Sequence, residues 1–248
     1  DYFASEWGPG PLIEAAFEET CSCDLKFKTG DVLPRIILEG ERTEADVVIG
    51  LNTDITKKAR ETGLFEPHRQ DNTKLTLPID WTDDVFLPFN YSHTAFIYNT
   101  KKVTNPPISF DALVNSNSDL SLVIQDPRSS ISGLALVLWV KAVYGDKAEK
   151  VWEKLAPKIL TVTKGWSESY GLFSAGEADM VLSYTTSPAY HILAEGDLTK
   201  KAAIFPEGHY LMVELAAKVA KTDVPNLANA FMAFILTERF QNLIPEGN

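Results

Sequence analysis

At 248 residues the chain is long enough for one large domain or for two of ordinary size. Its 45% hydrophobic, 23% charged and 10% aromatic content supports a full core and excludes a disordered, collagen-like or low-complexity protein. Thirty-four acidic residues against 23 basic ones give a net charge of -11, which repels phosphate backbones and argues against a nucleic-acid or anionic-membrane partner.

No apolar run reaches the ~20 residues that cross a bilayer, and the opening DYFASEWGPG has neither a basic n-region nor an apolar h-region. The chain therefore reads as soluble or already processed. Pro11 opens a helix through PLIEAAFEETC, with Leu12, Ala15, Ala16 and Phe17 at helical spacing. DLKFK alternates as a strand, TGDVLPR reads as a short loop, IILEGER as a short helical stretch and EADVVIGL as a buried strand. ITKKARETGLF follows as a helix stopped at Gly63. This alternation predicts an α/β fold with a largely parallel sheet.

DDVFLPFNYSHTAFIYNT is an extended run too long for one strand of a compact sheet, so it is expected to pass from one lobe to another. PISFDALVNS starts a helix and SLVIQDP is a strand. GLALVLWVKAVYG is apolar nearly all round at Leu134, Leu136, Val137, Leu138, Val140 and Val143, which predicts a helix buried on most faces and ended by Gly145. EKVWEKLAPKI is a helix, TVTKG a strand, WSESYGLFSAGEAD a helix from near Ser167, and MVLSYTT a buried strand. Ser187 and Pro188 supply an N-cap and first turn for SPAYHILAEG. HYLMVELAAKVA is a second crossing run, and PNLANAFMAFILTERFQNLI a long amphipathic helix. Two crossing runs predict two lobes: residues 1–88 with 210–248, and residues 89–209.

For catalysis the sequence offers no GxSxG, HExxH, GxxxxGK[ST] or GxGxxG, and its four histidines stand singly, so no enzyme and no metal site is expected. His191 reads as a partly exposed helical histidine. Cys21 and Cys23 are open to three readings: a C-x-C disulfide, two surface thiols, or half of a zinc site lacking its other ligands. Aromatics at loop-to-helix junctions are more informative. Trp7 lies before a helix, Trp166 after a strand, Tyr184 at a strand end, and Tyr190 on a first helical turn. At the carboxyl ends of strands in an open α/β sheet such positions line a ligand crevice, and their rings would favour a flat aromatic or cationic ligand. Ser129, Ser130 and Ser132 precede the long apolar helix, where an anion could meet backbone N–H groups, although plain N-capping needs just one serine. Asp31 serves equally as a turn aspartate or as a carboxylate facing a ligand cation, and Asn52 after VVIGL is a similar candidate.

WGPGP, ADVVIGL, QDPRSSISGL, VTKGWSESYGLF, SYTTSPAYHIL, EGHYLMVE and FQNLIPEGN, spread over essentially the whole chain, resemble the periplasmic thiamine-binding proteins, the solute receptors of bacterial ABC importers. The resemblance implies a type II periplasmic binding fold, with two α/β lobes joined by two crossing strands and closing around thiamine, thiamine monophosphate or thiamine diphosphate. It implies ligand contacts at Asp31, Ser130, Ile131, Trp166, Tyr184, Thr185, Thr186 and Ser187, with Trp7 and Tyr190 as further aromatics. Thiamine's thiazolium cation and aminopyrimidine suit aromatic rings and a carboxylate, and its hydroxyethyl or phosphate tail suits the serine-rich helix start. A periplasmic monomer delivering ligand to a membrane permease, with no cofactor of its own, is the expectation. The chain departs from the family pattern by starting after the first strand, by stopping at IPEGN and by a shorter TGDVLPR loop, so it is expected to be trimmed at both ends. A related receptor for ferric iron or polyamine is the alternative reading.

Overall fold

The computed structural model describes residues 3–4, 8–116 and 119–245, and it divides into two compact units, Asp1–Tyr91 with Val213–Asn248, and Ser92–Met212. Among the described residues no helix is long and apolar enough to cross a membrane.

The first unit opens with α1 (Gly10–Glu18), which starts on a proline and buries Ile13, Ala16 and Phe17. Its end runs into Cys21 and Cys23, which are joined by a disulfide. DLKFK, expected as a strand, alternates in exposure but forms no described strand. Alternation marks a half-buried surface; a strand also needs a ladder partner. TGDVLPR is likewise a loop only as far as Asp31, because α2 (Val32–Glu39) begins at the next residue and takes Pro34 into its first turn, where a missing N–H costs nothing. β1 (Val47–Asn52), α3 (Thr56–Glu61) and β2 (Phe65–Glu66) follow. Gly63, at φ +69°, turns the chain out of α3.

β3 (Phe86–Asn99) is one continuous strand of 14 residues, and the division between units falls inside it. Asp83 sets its start by accepting N–H bonds from Val85 and Phe86 and pairing with Arg60. The second unit continues through α4 (Phe110–Asn115), β4 (Leu122–Gln125), α5 (Ile131–Tyr144), α6 (Ala148–Leu155), β5 (Ile159–Thr163), α7 (Trp166–Ser174), β6 (Met180–Tyr184), the short α8 (Ser187–Tyr190) and β7 (Lys200–Ala203). A five-residue π-helical stretch, His191–Glu195, extends α8. β8 (Leu211–Val219) holds the second division, and α9 (Pro225–Ile235) and α10 (Glu238–Gln241) end the first unit.

The sheet is mixed rather than largely parallel. β4 runs parallel to β5 and β6, whereas β3 pairs antiparallel with β6 and β7, and β8 antiparallel with β1 and β2. Helical crossovers enforce parallel pairing only between β4, β5 and β6; the long strands β3 and β8 run against their neighbours. The long C-terminal helix expected from PNLANAFMAFILTERFQNLI is broken in two, because the Thr237 hydroxyl donates to Phe234 O and its oxygen caps Phe240 N. Propensity favoured continuity, and a side chain offering both cap bonds interrupted it.

In the first unit Ile13, Phe17, Leu87, Phe89, Phe231, Phe234 and Phe240 make the core. In the second, Trp139 lies at the centre of Phe96, Phe110 and Phe205, and donates its indole N–H to Gly208 O at 3.0 Å. Truncation to alanine removes all of these contacts and leaves the carbonyl without its donor, so Trp139→Ala should cost about 3–5 kcal/mol in urea unfolding.

His68 is buried in the first unit; Gln70 N donates to its Nδ1, and its Nε2 lies 3.3 Å from Asp83 O. Burial pushes its imidazole below the usual histidine range, against the raising effect of the Asp83 carbonyl and the Asp83 and Asp84 charges. The folded state thus binds the proton less readily than the unfolded chain. This stabilisation is complete above the ordinary histidine value and is lost as pH falls through the lower folded value. The unfolding midpoint should fall between pH 7 and pH 5, and less steeply in His68→Gln.

Candidate functional site

Three adjacent parallel strands of the second unit end at one edge of its sheet, and a helix begins just beyond each. Gln125 ends β4 opposite Thr163, the last residue of β5, and β6 lies on the other side of β4. The expected residues Ser130, Ile131, Trp166, Tyr184, Thr185, Thr186 and Ser187 all fall in the segments that leave this edge.

Beyond β4, Ser129 N and Ser130 N both bond back to Asp126 O, folding QDPRSS into a tight turn. Ser130 is the N-cap of α5: its oxygen receives Gly133 N at 3.5 Å and lies 2.9 Å from Ser132 Oγ, while Ile131 opens the helix half-buried. Ser129 Oγ donates instead to Lys164 O at 2.8 Å, tying this turn to the one after β5. Arg128 pairs with Asp126 and holds its carboxyl down to about 2. Gly133 fixes how closely α5 meets β4. A Cβ there would sit 2.5 Å from Gln125 O and 2.8 Å from the Asp126 carbonyl carbon, so only glycine fits.

Beyond β5, Gly165 caps α7 and Trp166 is its first residue. The Trp166 indole N–H donates to Ser183 Oγ at 2.8 Å, and its ring stacks on Tyr170 with centroids 4.6 Å apart. Beyond β6, Tyr184 and Thr185 are half-buried and Thr186 is exposed, its hydroxyl 3.1 Å from Ser92 Oγ. Ser187 does not cap α8 as expected; Thr186 occupies that position. Ser187 turns inward, 2.7 Å from Ser183 Oγ and accepting from Tyr184 N, because the buried Ser183 hydroxyl needs a partner. Tyr190, half-buried, packs edge-on against His191.

His191 is buried, not partly exposed: 4% of it remains accessible. Its Nε2 lies 2.9 Å from Tyr170 Oη and its Nδ1 2.6 Å from Glu195 Oε2. Asp197 lies near this pair but is taken by Thr199 N and Lys200. Sequence reasoning also missed Gln125, whose buried amide donates to Ser169 Oγ and Leu182 O and so links β4, α7 and β6. A buried glutamine ending an apolar strand was a readable sign of such a polar junction, as was Tyr170 four residues after Trp166.

Of the first-unit candidates, Asp31 is exposed at the N-cap of α2 without a side-chain cap bond. Asn52 is fully buried at the end of β1, its amide donating to Asp54. Trp7 lies outside the described residues.

The second-unit edge therefore offers π faces for a cation or flat ring and the N-termini of α5 and α7 for an anion. Gly133→Ala should push α5 away from β4 and destabilise the second unit by about 1–3 kcal/mol in urea unfolding.

Residues 11–242 match the bacterial extracellular solute-binding protein family. The chain is 48% identical to the thiamine-binding periplasmic protein of Escherichia coli K12 over 252 aligned residues, covering 100% of this chain and 77% of that protein. A solved periplasmic thiamin binding protein superposes with a TM-score of 0.97 at 49% identity, over 100% of this chain and 79% of that one. Iron-bound HitA from Pseudomonas aeruginosa superposes at 0.79 with 22% identity over 95% and 79%, a likeness of fold alone. With its two α/β units and a match across nearly its whole length, the chain belongs to the bacterial extracellular solute-binding proteins.

Proposed function

We propose that this chain is a periplasmic thiamine receptor that hands its ligand to an ABC importer. The observation that carries this reading is the identity of 48% to a thiamine-binding periplasmic protein over the full length of the chain. Its relatives are binding proteins, not enzymes, and thiamine is cargo rather than cofactor.

The chemistry of the second-unit edge supports the choice. Thiamine carries a permanent thiazolium charge, and each good cation–ring contact contributes ~0.5–2 kcal/mol. Trp166, Tyr184 and Tyr190 are the rings proposed for this role, with Thr185, Thr186 and Ser187 as polar contacts beside them. Ser130 and Ile131, at the start of the 14-residue α5, are proposed to receive the hydroxyethyl or phosphate end, where the helix dipole favours negative charge. Thiamine monophosphate and diphosphate then bind as well as thiamine. We further propose that the receptor is a monomer that docks on the importer's membrane permease.

Titration calorimetry with thiamine, its two phosphates, spermidine and ferric citrate tests the reading. Saturable heat is expected with the thiamine compounds alone. Trp166→Ala should weaken thiamine binding at least tenfold, about 1.4 kcal/mol, with the unfolding midpoint nearly kept. Binding of iron or spermidine in place of thiamine would refute the receptor assignment.

A further inference from the structure

We infer that Tyr170, His191 and Glu195 form a positioning relay that fixes the plane of the Trp166 ring; this rests on the reading of Trp166 as a ligand contact. Four groups are linked in one direction. The indole stacks on Tyr170, centroids 4.6 Å apart and planes 24° from parallel. Tyr170 in turn stacks on His191 at 5.7 Å and 14°, and its hydroxyl lies 2.9 Å from His191 Nε2. His191 Nδ1 is 2.6 Å from the Glu195 carboxylate.

The protons have one consistent arrangement. Glu195 as a carboxylate accepts from Nδ1–H, which leaves Nε2 as acceptor for the tyrosine hydroxyl. Every polar atom of the buried Tyr170–His191 pair is then satisfied, and the tautomer is set from the exposed end of the chain. The π-helical stretch His191–Glu195 serves this geometry. It closes on a bond from Gly196 N to His191 O, one residue wider than an α turn, and stretches of this kind occur at functional positions. The indole is thereby held on two sides, by Ser183 at its N–H and by Tyr170 on its face. A ring fixed before binding spares the ligand the entropy of ordering it.

A purely structural role, fastening α7 to α8, predicts a different result, and a double-mutant cycle separates the two. Tyr170→Phe keeps the stacked ring and removes the hydroxyl link. Expected is a rise of about three- to tenfold in the thiamine Kd with Trp166 present, and a change of less than about 1.5-fold in the Trp166→Ala background. Glu195→Gln, an exposed change that does not threaten the fold, should raise the Kd in the same sense by about twofold or more. In the free protein, Tyr170→Phe should shift or broaden the Trp166 indole N–H resonance, assigned by its disappearance in Trp166→Ala. Equal losses in both backgrounds, or an unchanged Kd together with an unmoved resonance, would overturn the relay. A wild-type protein that binds no thiamine refutes the receptor assignment instead, and the resonance then still decides the relay.

Discussion

The close approach of Gly133 to the end of β4 is the constraint on which the second unit depends. With 2.5 Å between a notional Cβ and Gln125 O, α5 packs against the last carbonyls of β4 and no other residue fits there. That contact puts the N-terminus of a 14-residue helix at the sheet edge, with Ser130 as its cap. It also leaves Gln125 buried between β4, α7 and β6, where its amide donates to Ser169 and to Leu182 O. The turns after β4 and β5 are then stitched together by Ser129 and Lys164. Helix start, indole and hydroxyl run occupy one edge because three parallel strands are held in register beneath them.

Electrostatics at this edge is arranged by backbone more than by side-chain charge. Asp126 and Arg128 neutralise each other at the surface, and exposed pairs of this type contribute little to stability. What remains for a ligand is the dipole of α5, the faces of aromatic rings and hydroxyl groups already engaged in short chains such as Trp166–Ser183–Ser187. Such a surface suits a solute that is cationic and aromatic at one end and polar or anionic at the other. The acidity of the protein as a whole, -11 in net charge, favours the approach of a cation without supplying a local contact.

Much of the fold was legible because its signals are local and periodic. The all-round apolar run became α5, with only Lys141 and Ala142 exposed. Gly63 and Gly145 took up positive φ where helices end, and the extended run with Pro88 became a strand of unusual length. The failures share a cause: they depend on partners distant in sequence or on one competing side chain. DLKFK alternates correctly yet forms no described strand. Thr237 cut a helix that hydrophobic spacing would have continued, and Ser187 gave up its cap to satisfy Ser183. His191, expected to be partly exposed on its helix, is buried, since the Tyr170 ring that covers it comes from a different helix. That Trp166 follows one strand and Tyr184 ends another could be read from element order, whereas the hydrogen bonds that hold them could not.

The π-helical stretch after α8 carries a consequence of a different kind. Ile192, Leu193 and Ala194, between the histidine and the carboxylate, are all exposed, so their identities are only loosely constrained by packing. Their number is not. One residue fewer would close an ordinary α turn, rotate everything downstream by roughly 100° about the helix axis and carry the carboxylate away from the His191 ring. Over these positions the protein is tolerant of spelling and strict about count, so related chains that keep the Tyr170–His191 contact are expected to vary here by substitution and not by insertion or deletion.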